Sequence, residues 1–172
     1  MLRVERLYAV FETPAGWMAA AFTEKGLCAL TLPVPIREQA ESHLLGKGMP
    51  LVHVETNEQI AGLADDLRRY LAGERVSFGV RLDLSDVTDW QRRVLMRCAE
   101  IPYGVLITYG ELAEAAGSPG AARAVGQAMA RNPVPIVVPC HRVVAACGKL
   151  GGFTAGLEWK RRLLRIERVE GF

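Results

Sequence analysis

Long hydrophobic runs are missing from this chain, although half of its 172 residues are hydrophobic. Its longest apolar stretches, such as residues 18–22 and 134–138, fall far short of the ~20 residues a bilayer-spanning helix needs. Residues 1–12 carry charges where a signal peptide would carry an apolar segment. A soluble, cytoplasmic protein with no membrane partner is expected. Histidine is scarce, at His43, His53 and His141, and the cysteines Cys28, Cys98, Cys140 and Cys147 form neither a Cys-x-x-Cys pair nor a regular framework. That pattern argues against a structural zinc site and against a disulfide scaffold. Reduced thiols, no metal and no cofactor are expected. Net charge is only +2, so a strongly polyionic character is also lacking. The two halves differ, however: splitting at Ser85 leaves −2 in the first part and +4 in the second. This permits a polyanionic partner for the second part without establishing one.

What the chain does have is Pro139-Cys140-His141-Arg142-Val143-Val144, which joins a nucleophile directly to a base. A cysteine thiol is mostly protonated at neutral pH and needs a neighbouring base or cation to act. Cys140 follows the apolar run Ile136-Val137-Val138, so an inert buried thiol is the alternative. Pro133, Pro135 and Pro139 disfavour both a helix and a central strand. An extended, proline-studded segment delivering a cysteine to one place has the form of site architecture.

Two domains are expected, 1–85 and 86–172. The first is a small α/β domain, an antiparallel sheet with helices. Strands are predicted over 7–12 and 17–22, joined by the turn Thr13-Pro14-Ala15-Gly16, and over about 27–32, ended by Pro33 and Pro35. Helices are predicted over 38–45 and 57–71, the latter with Ile60, Leu63, Leu67 and Leu71 on one stripe. Residues 76–82 are a further candidate strand, and 83–88 the crossing. The second domain is mainly α. Helix 89–101 is amphipathic, Thr108 caps a helix over 109–116 with Glu111 at its third position, and the turn Gly117-Ser118-Pro119-Gly120 leads into helix 121–132. A last helix covers 157–168.

The pair 109–116 and 121–132 has the form of a helix-turn-helix, and an ordinary helical hairpin has the same pattern. Ala121, Ala122, Ala124, Gly126, Ala128 and Ala130 make the second helix nearly bare, with Arg123 as its long cation. Such a helix suits close packing against a neighbour or against a duplex.

The C-terminal half resembles the O6-alkylguanine-DNA alkyltransferases. The resemblance is carried by Trp90-Gln91, Ile101-Pro102-Tyr103-Gly104, Thr108-Tyr109-Gly110-Glu111-Leu112-Ala113, Ala121-Ala122-Arg123-Ala124-Val125-Gly126 and Asn132-Pro133-Val134-Pro135. It continues through Val138-Pro139-Cys140-His141-Arg142-Val143-Val144, Gly148-Lys149-Leu150-Gly151-Gly152-Phe153, Gly156-Leu157, Lys160, Leu163-Leu164 and Glu167. It implies a monomeric, single-use enzyme acting on double-stranded DNA that contains O6-alkylguanine, and also O4-alkylthymine. Cys140 would take the alkyl group as a thioether, which has no labile bond for later release. By the same resemblance His141 draws the thiol proton through a water and Glu167 orients His141. Tyr109 donates a hydrogen bond to the guanine, and Asn132 ties the turn before Cys140 to the recognition helix. Arg123, with Ala121, Ala122, Ala124 and Tyr109, would contact DNA from the minor groove and replace the flipped base. Met129, Val143, Leu150, Gly151, Phe153 and Thr154 would form the substrate pocket.

From residues alone, Glu167 has an alternative as an exposed glutamate on a charged helix face, and Asn132 as an ordinary residue before proline. The chain departs from the family pattern at Trp90 (usually phenylalanine), Phe153 (often tyrosine) and Ala155 (usually glycine). The added methyl of Ala155 predicts poorer acceptance of benzyl than of methyl adducts. A thiol hydrolase, an alkylation-sensing regulator and a lesion-binding relative lacking the cysteine are the rival readings. Cys140 itself speaks against the last, and Cys147 is expected to be inert.

Overall fold

The computed structural model describes residues 5–172; the expectation about the extreme N-terminus lies partly outside them, at residues 1–4. The chain divides into two compact units, Met1–Leu84 and Ser85–Phe172. Among the described residues no helix is long and apolar enough to cross a membrane.

The first unit is built on a hairpin of β1 (Leu7–Thr13) and β2 (Gly16–Thr23), followed by β3 (Gly26–Leu30). The hairpin register runs from Leu7 opposite Phe22 to Thr13 opposite Gly16, leaving a two-residue loop, Pro14-Ala15. Thr13 Oγ1 closes it by donating to Gly16 O at 2.7 Å. Gly16 sits at φ +126°, and a Cβ there would fall 2.5 Å from the Val34 carbonyl oxygen. Only glycine allows that approach. It lets Trp17 and Val34 exchange main-chain bonds at 2.7 and 2.9 Å.

Helix α1 (Arg37–Leu45) places Ala40 and Leu44 in one cluster with Tyr8, Ala19, Ala21 and Ala29. Residues of the opposite parity, Ala9, Phe11, Met18, Ala20 and Phe22, are buried as well. Burial on both faces is why β2 reads as an unbroken apolar run rather than an alternating one. Helix α2 (Glu58–Leu71) packs against β1, is capped by Asn57 Oδ1 accepting from Ile60 N at 2.9 Å, and buries Ile60, Leu63, Leu67 and Leu71.

Two expectations are corrected here. The sheet is mixed rather than antiparallel, because a two-residue strand β4 (Val52–His53) pairs parallel with β1, giving the order β3-β2-β1-β4. Residues 76–82 form no strand; they contribute one bridge, Leu82 beside Leu27. Gly79 in the middle of that stretch deprives it of a side chain to pack. Its end is secured instead by Asp83, whose buried carboxylate accepts from Thr23 Oγ1 at 2.6 Å.

The second unit is mainly helical: α3 (Asp89–Ala99), α4 (Tyr109–Ala115), α5 (Ala122–Ala130) and α6 (Leu157–Ile166). Thr108 and Glu111 form a reciprocal capping box on α4, at 3.1 and 2.6 Å. Helix α5 packs on both α3 and α4, burying Val125, Ala128 and Met129. The helices end one to two residues short of expectation, and α6 ends at Ile166, which leaves Glu167 as its C-terminal cap. A parallel two-stranded element, β5 (Ile107–Thr108) with β6 (Val143–Val144), has no signal in the sequence. It pairs the two residues before Tyr109 with the two after Arg142, and so brings the start of α4 to the cysteine segment.

Candidate active site

Cys140, His141 and Arg142 form a single 3₁₀ turn just before β6. The approach to it is tightly bent. Ile136 has φ +74°, an outlier for a β-branched side chain that costs of order 1–3 kcal/mol and needs surrounding structure to hold it. Asn132 supplies part of that hold. Its Oδ1 accepts from Val134 N at 3.0 Å, and its Nδ2 donates to Val138 O at 2.9 Å and to Cys140 Sγ at 3.3 Å. Asparagine is suited to this position because one side chain both accepts and donates.

Cys140 is 6 % exposed and His141 fully buried. Burial pushes the Cys140 thiol up, partly offset by the Asn132 amide and by the Lys160 charge, so the resting thiol keeps its proton. Burial likewise pushes His141 down, against the opposing pull of Glu167. The imidazole is therefore neutral at neutral pH. His141 Nε2 lies 2.7 Å from Glu167 Oε1. A carboxylate only accepts, so Nε2 carries the ring proton and Nδ1 the basic lone pair.

Glu167 is 3 % exposed, and a buried carboxylate requires compensation. Arg142 provides it, donating from Nε to Oε2 and from Nη2 to Oε1, both at 2.9 Å, with the Gly104 amide adding a bond at 2.9 Å. Arg142 also donates to the Ile101 carbonyl. Arg142 thus supplies the counter-charge that the buried carboxylate needs. The exposed-glutamate alternative for Glu167 does not apply.

A second network surrounds Tyr109. Its hydroxyl donates to Gly152 O at 3.2 Å. Gly151, at φ +73°, lies against the ring, and a Cβ there would stand 2.7 Å from Tyr109 Cε2. Burial and the neighbouring Cys140 push the Tyr109 phenol above its usual range, so it remains a proton donor. Lys160 of α6, wholly buried, donates to the carbonyls of Val143 and Leu150, each at 2.6 Å, and of Gly152 at 3.2 Å. Burial lowers its pKa to about 8. The resemblance named Lys160 without a role. Its spacing with Leu163, Leu164 and Glu167 on one helical stripe was the available signal for burial.

Thr154 donates to Ala130 O at 2.6 Å, fastening the loop before α6 to the end of α5. Gln91 Nε2 donates to Arg131 O at 3.0 Å, so α3 caps the same end. Met129 and Val143 are buried, Leu150, Gly151 and Phe153 half-buried, and Thr154 and Ala155 exposed. A groove of about 470 Å³ lies on this loop, lined by Leu150, Gly151, Leu157, Arg161 and Phe172 among others, and includes none of Cys140, His141 or Tyr109. It therefore lies apart from the cysteine turn. On α5, Arg123 is exposed, with Ala121, Ala122 and Ala124 half-buried beside it. Cys147 is exposed. Among the described residues no cluster of three or more His, Cys, Asp or Glu could hold a metal.

Fold and site define a protein of two units whose helical unit joins a two-helix motif with an exposed arginine to a buried cysteine and a buried histidine–glutamate pair. Residues 89–169 match the DNA-binding domain of 6-O-methylguanine DNA methyltransferase, and residues 6–84 its ribonuclease-like domain. The methylated-DNA–protein-cysteine methyltransferase of Methanosarcina acetivorans is 41% identical over 160 residues, 93% of this chain and 97% of that one. That of Mycobacterium bovis is 51% identical over 108 residues, 63% of this chain and 65% of its own length. The match therefore spans about two thirds of the mycobacterial relative. A solved structure of Mycobacterium tuberculosis OGT in complex with DNA superposes with a TM-score of 0.77 at 38% identity, covering 94% of this chain and 92% of that one. The chain belongs to the O6-methylguanine-DNA methyltransferase family.

Proposed function

We propose that this protein repairs O6-alkylguanine in double-stranded DNA, and O4-alkylthymine with it, by one irreversible transfer of the alkyl group to Cys140. The observation that carries this reading is the buried His141–Glu167 pair, with His141 next in the chain to the buried Cys140, whose sulfur accepts from Asn132. His141 Nδ1 takes the thiol proton through a water. The sulfur attacks the alkyl carbon, the S–C bond forms, and the C–O6 bond breaks with its electron pair returning to the base. Tyr109, a phenol that keeps its proton, donates to the departing guanine so that it leaves as a neutral species. Glu167 stabilises the imidazolium.

A base inside a duplex is beyond reach of a buried thiol, so it must be flipped out. Helices α4 and α5 serve as the helix-turn-helix. Arg123 enters from the minor groove into the vacated space, while Ala121, Ala122 and Ala124 allow close approach to the backbone. Met129, Val143, Leu150, Gly151, Phe153 and Thr154 enclose the flipped base. A site in the cytoplasm, with access to the nucleoid, suits this role.

The thioether distinguishes this from a thiol hydrolase. Mixed with excess duplex bearing O6-methylguanine, the protein should repair one equivalent and stop. Repeated turnover would establish hydrolysis instead.

A further inference from the structure

The Gly152 carbonyl receives two donors at the same distance, the Tyr109 hydroxyl and the Lys160 ammonium, each at 3.2 Å. Lys160 spends its other two N–H groups on Val143 O and Leu150 O at 2.6 Å. Its ammonium thus bridges β6, which follows the cysteine turn, and both sides of Gly151. A buried ammonium is costly unless fully bonded, and this one uses all three donors on main-chain oxygens, one in β6 and two in the loop that follows it. The same ammonium lies 5.7 Å from the Tyr109 ring centroid.

In the proposed reaction Tyr109 must give its hydroxyl to the guanine, which means leaving Gly152. Gly152 is exposed, so once Tyr109 leaves, the Lys160 ammonium is the remaining protein donor that ties its carbonyl, and with it the loop, to α6. Resting on the alkyl-transfer reading, we propose that Lys160 is a positioning residue that keeps the Gly152 carbonyl bonded when Tyr109 turns to the substrate base. The tyrosine is then freed without loosening the loop over residues 150–152. Lys160 touches neither substrate nor sulfur in this role; it acts through Tyr109.

The coupling is measurable. Single-turnover methyl transfer should be slowed about tenfold by Lys160→Met when Tyr109 is present, and not further slowed by Lys160→Met in a Tyr109→Phe background. Multiplicative losses in the double variant would overturn the proposal. A second measurement needs no change at Lys160. The ionisable groups around it are Cys98 on α3, Tyr109 on α4, Cys140 and His141 in the 3₁₀ turn, and Glu167, paired with Arg142, at the end of its own helix. Of these, Cys98, Tyr109 and Cys140 are pushed up and His141 is pushed down, whereas Lys160 titrates at about 8. The rate advantage of the unaltered protein over Tyr109→Phe should shrink as pH rises through that value. An advantage constant from pH 7 to 9.5 would overturn the proposal even if Lys160→Met does not fold. Failure of the unaltered protein to accept any methyl group would instead refute the alkyl-transfer reading itself.

Discussion

His141 Nε2 and Glu167 Oε1 stand 2.7 Å apart with both side chains fully buried, and Arg142 spans both oxygens of the same carboxylate, from Nη2 to Oε1 and from Nε to Oε2, each at 2.9 Å. One glutamate thus sets the histidine tautomer and neutralises a buried guanidinium.

Glu167→Gln should therefore fail twice. Leaving Arg142 without its counter-charge should cost about 3–5 kcal/mol of folding stability, read from urea unfolding. Removing the orienting carboxylate should slow alkyl transfer by about a hundredfold or more, read under single-turnover conditions in protein that remains folded.

The histidine itself predicts a pH dependence of stability. Its folded pKa lies below the ordinary 6.5 because of burial. Above 6.5 neither state binds the proton and His141 contributes nothing. Below 6.5 the unfolded chain takes up a proton that the native site refuses, so stability falls until the lowered folded pKa is reached. The stability difference between the unaltered protein and His141→Gln should shift against the unaltered protein as pH drops below 6.5. A difference that stays flat from pH 7.5 to 5 would contradict the buried neutral imidazole.

Much of this arrangement was legible in the sequence, for identifiable reasons. Ile60, Leu63, Leu67 and Leu71 recur at helical spacing and are buried, and Thr108 with Glu111 marked a capping box that the structure forms. Adjacency alone brought Cys140 and His141 together. Strands β4, β5 and β6 were not legible, because two residues carry no period. The bond between His141 and Glu167 closes over 25 intervening residues and a loop, and only the stripe Lys160, Leu163, Leu164 and Glu167 hinted that the glutamate faces inward. Nothing in the sequence indicated that Arg142 pairs with Glu167.

Arg123 is exposed on α5, so Arg123→Ala should change folding stability by no more than about 0.5 kcal/mol. Transfer from duplex DNA should nevertheless slow by about tenfold or more, since the vacated base position is no longer filled. Reaction with free O6-methylguanine base should be unaffected. Comparing the two substrates measures this directly.

Two substitutions in the pocket loop should act in opposite directions. Gly151→Ala places a methyl against the Tyr109 ring in a left-handed backbone conformation, and should slow transfer of even a methyl group. Ala155→Gly removes a methyl from the exposed turn beside Thr154, and should raise benzyl transfer relative to methyl transfer. Equal benzyl-to-methyl ratios before and after the second change would show that Ala155 does not limit adduct size.

Intact-mass measurement, followed by peptide mapping, tests the central claim most directly. After reaction with a duplex carrying a single O6-methylguanine, each protein molecule should gain one methyl group, located on Cys140 and not on Cys28, Cys98 or Cys147, and Cys140→Ser should gain none. An unmodified protein, or a methyl group found on another cysteine, would contradict the account.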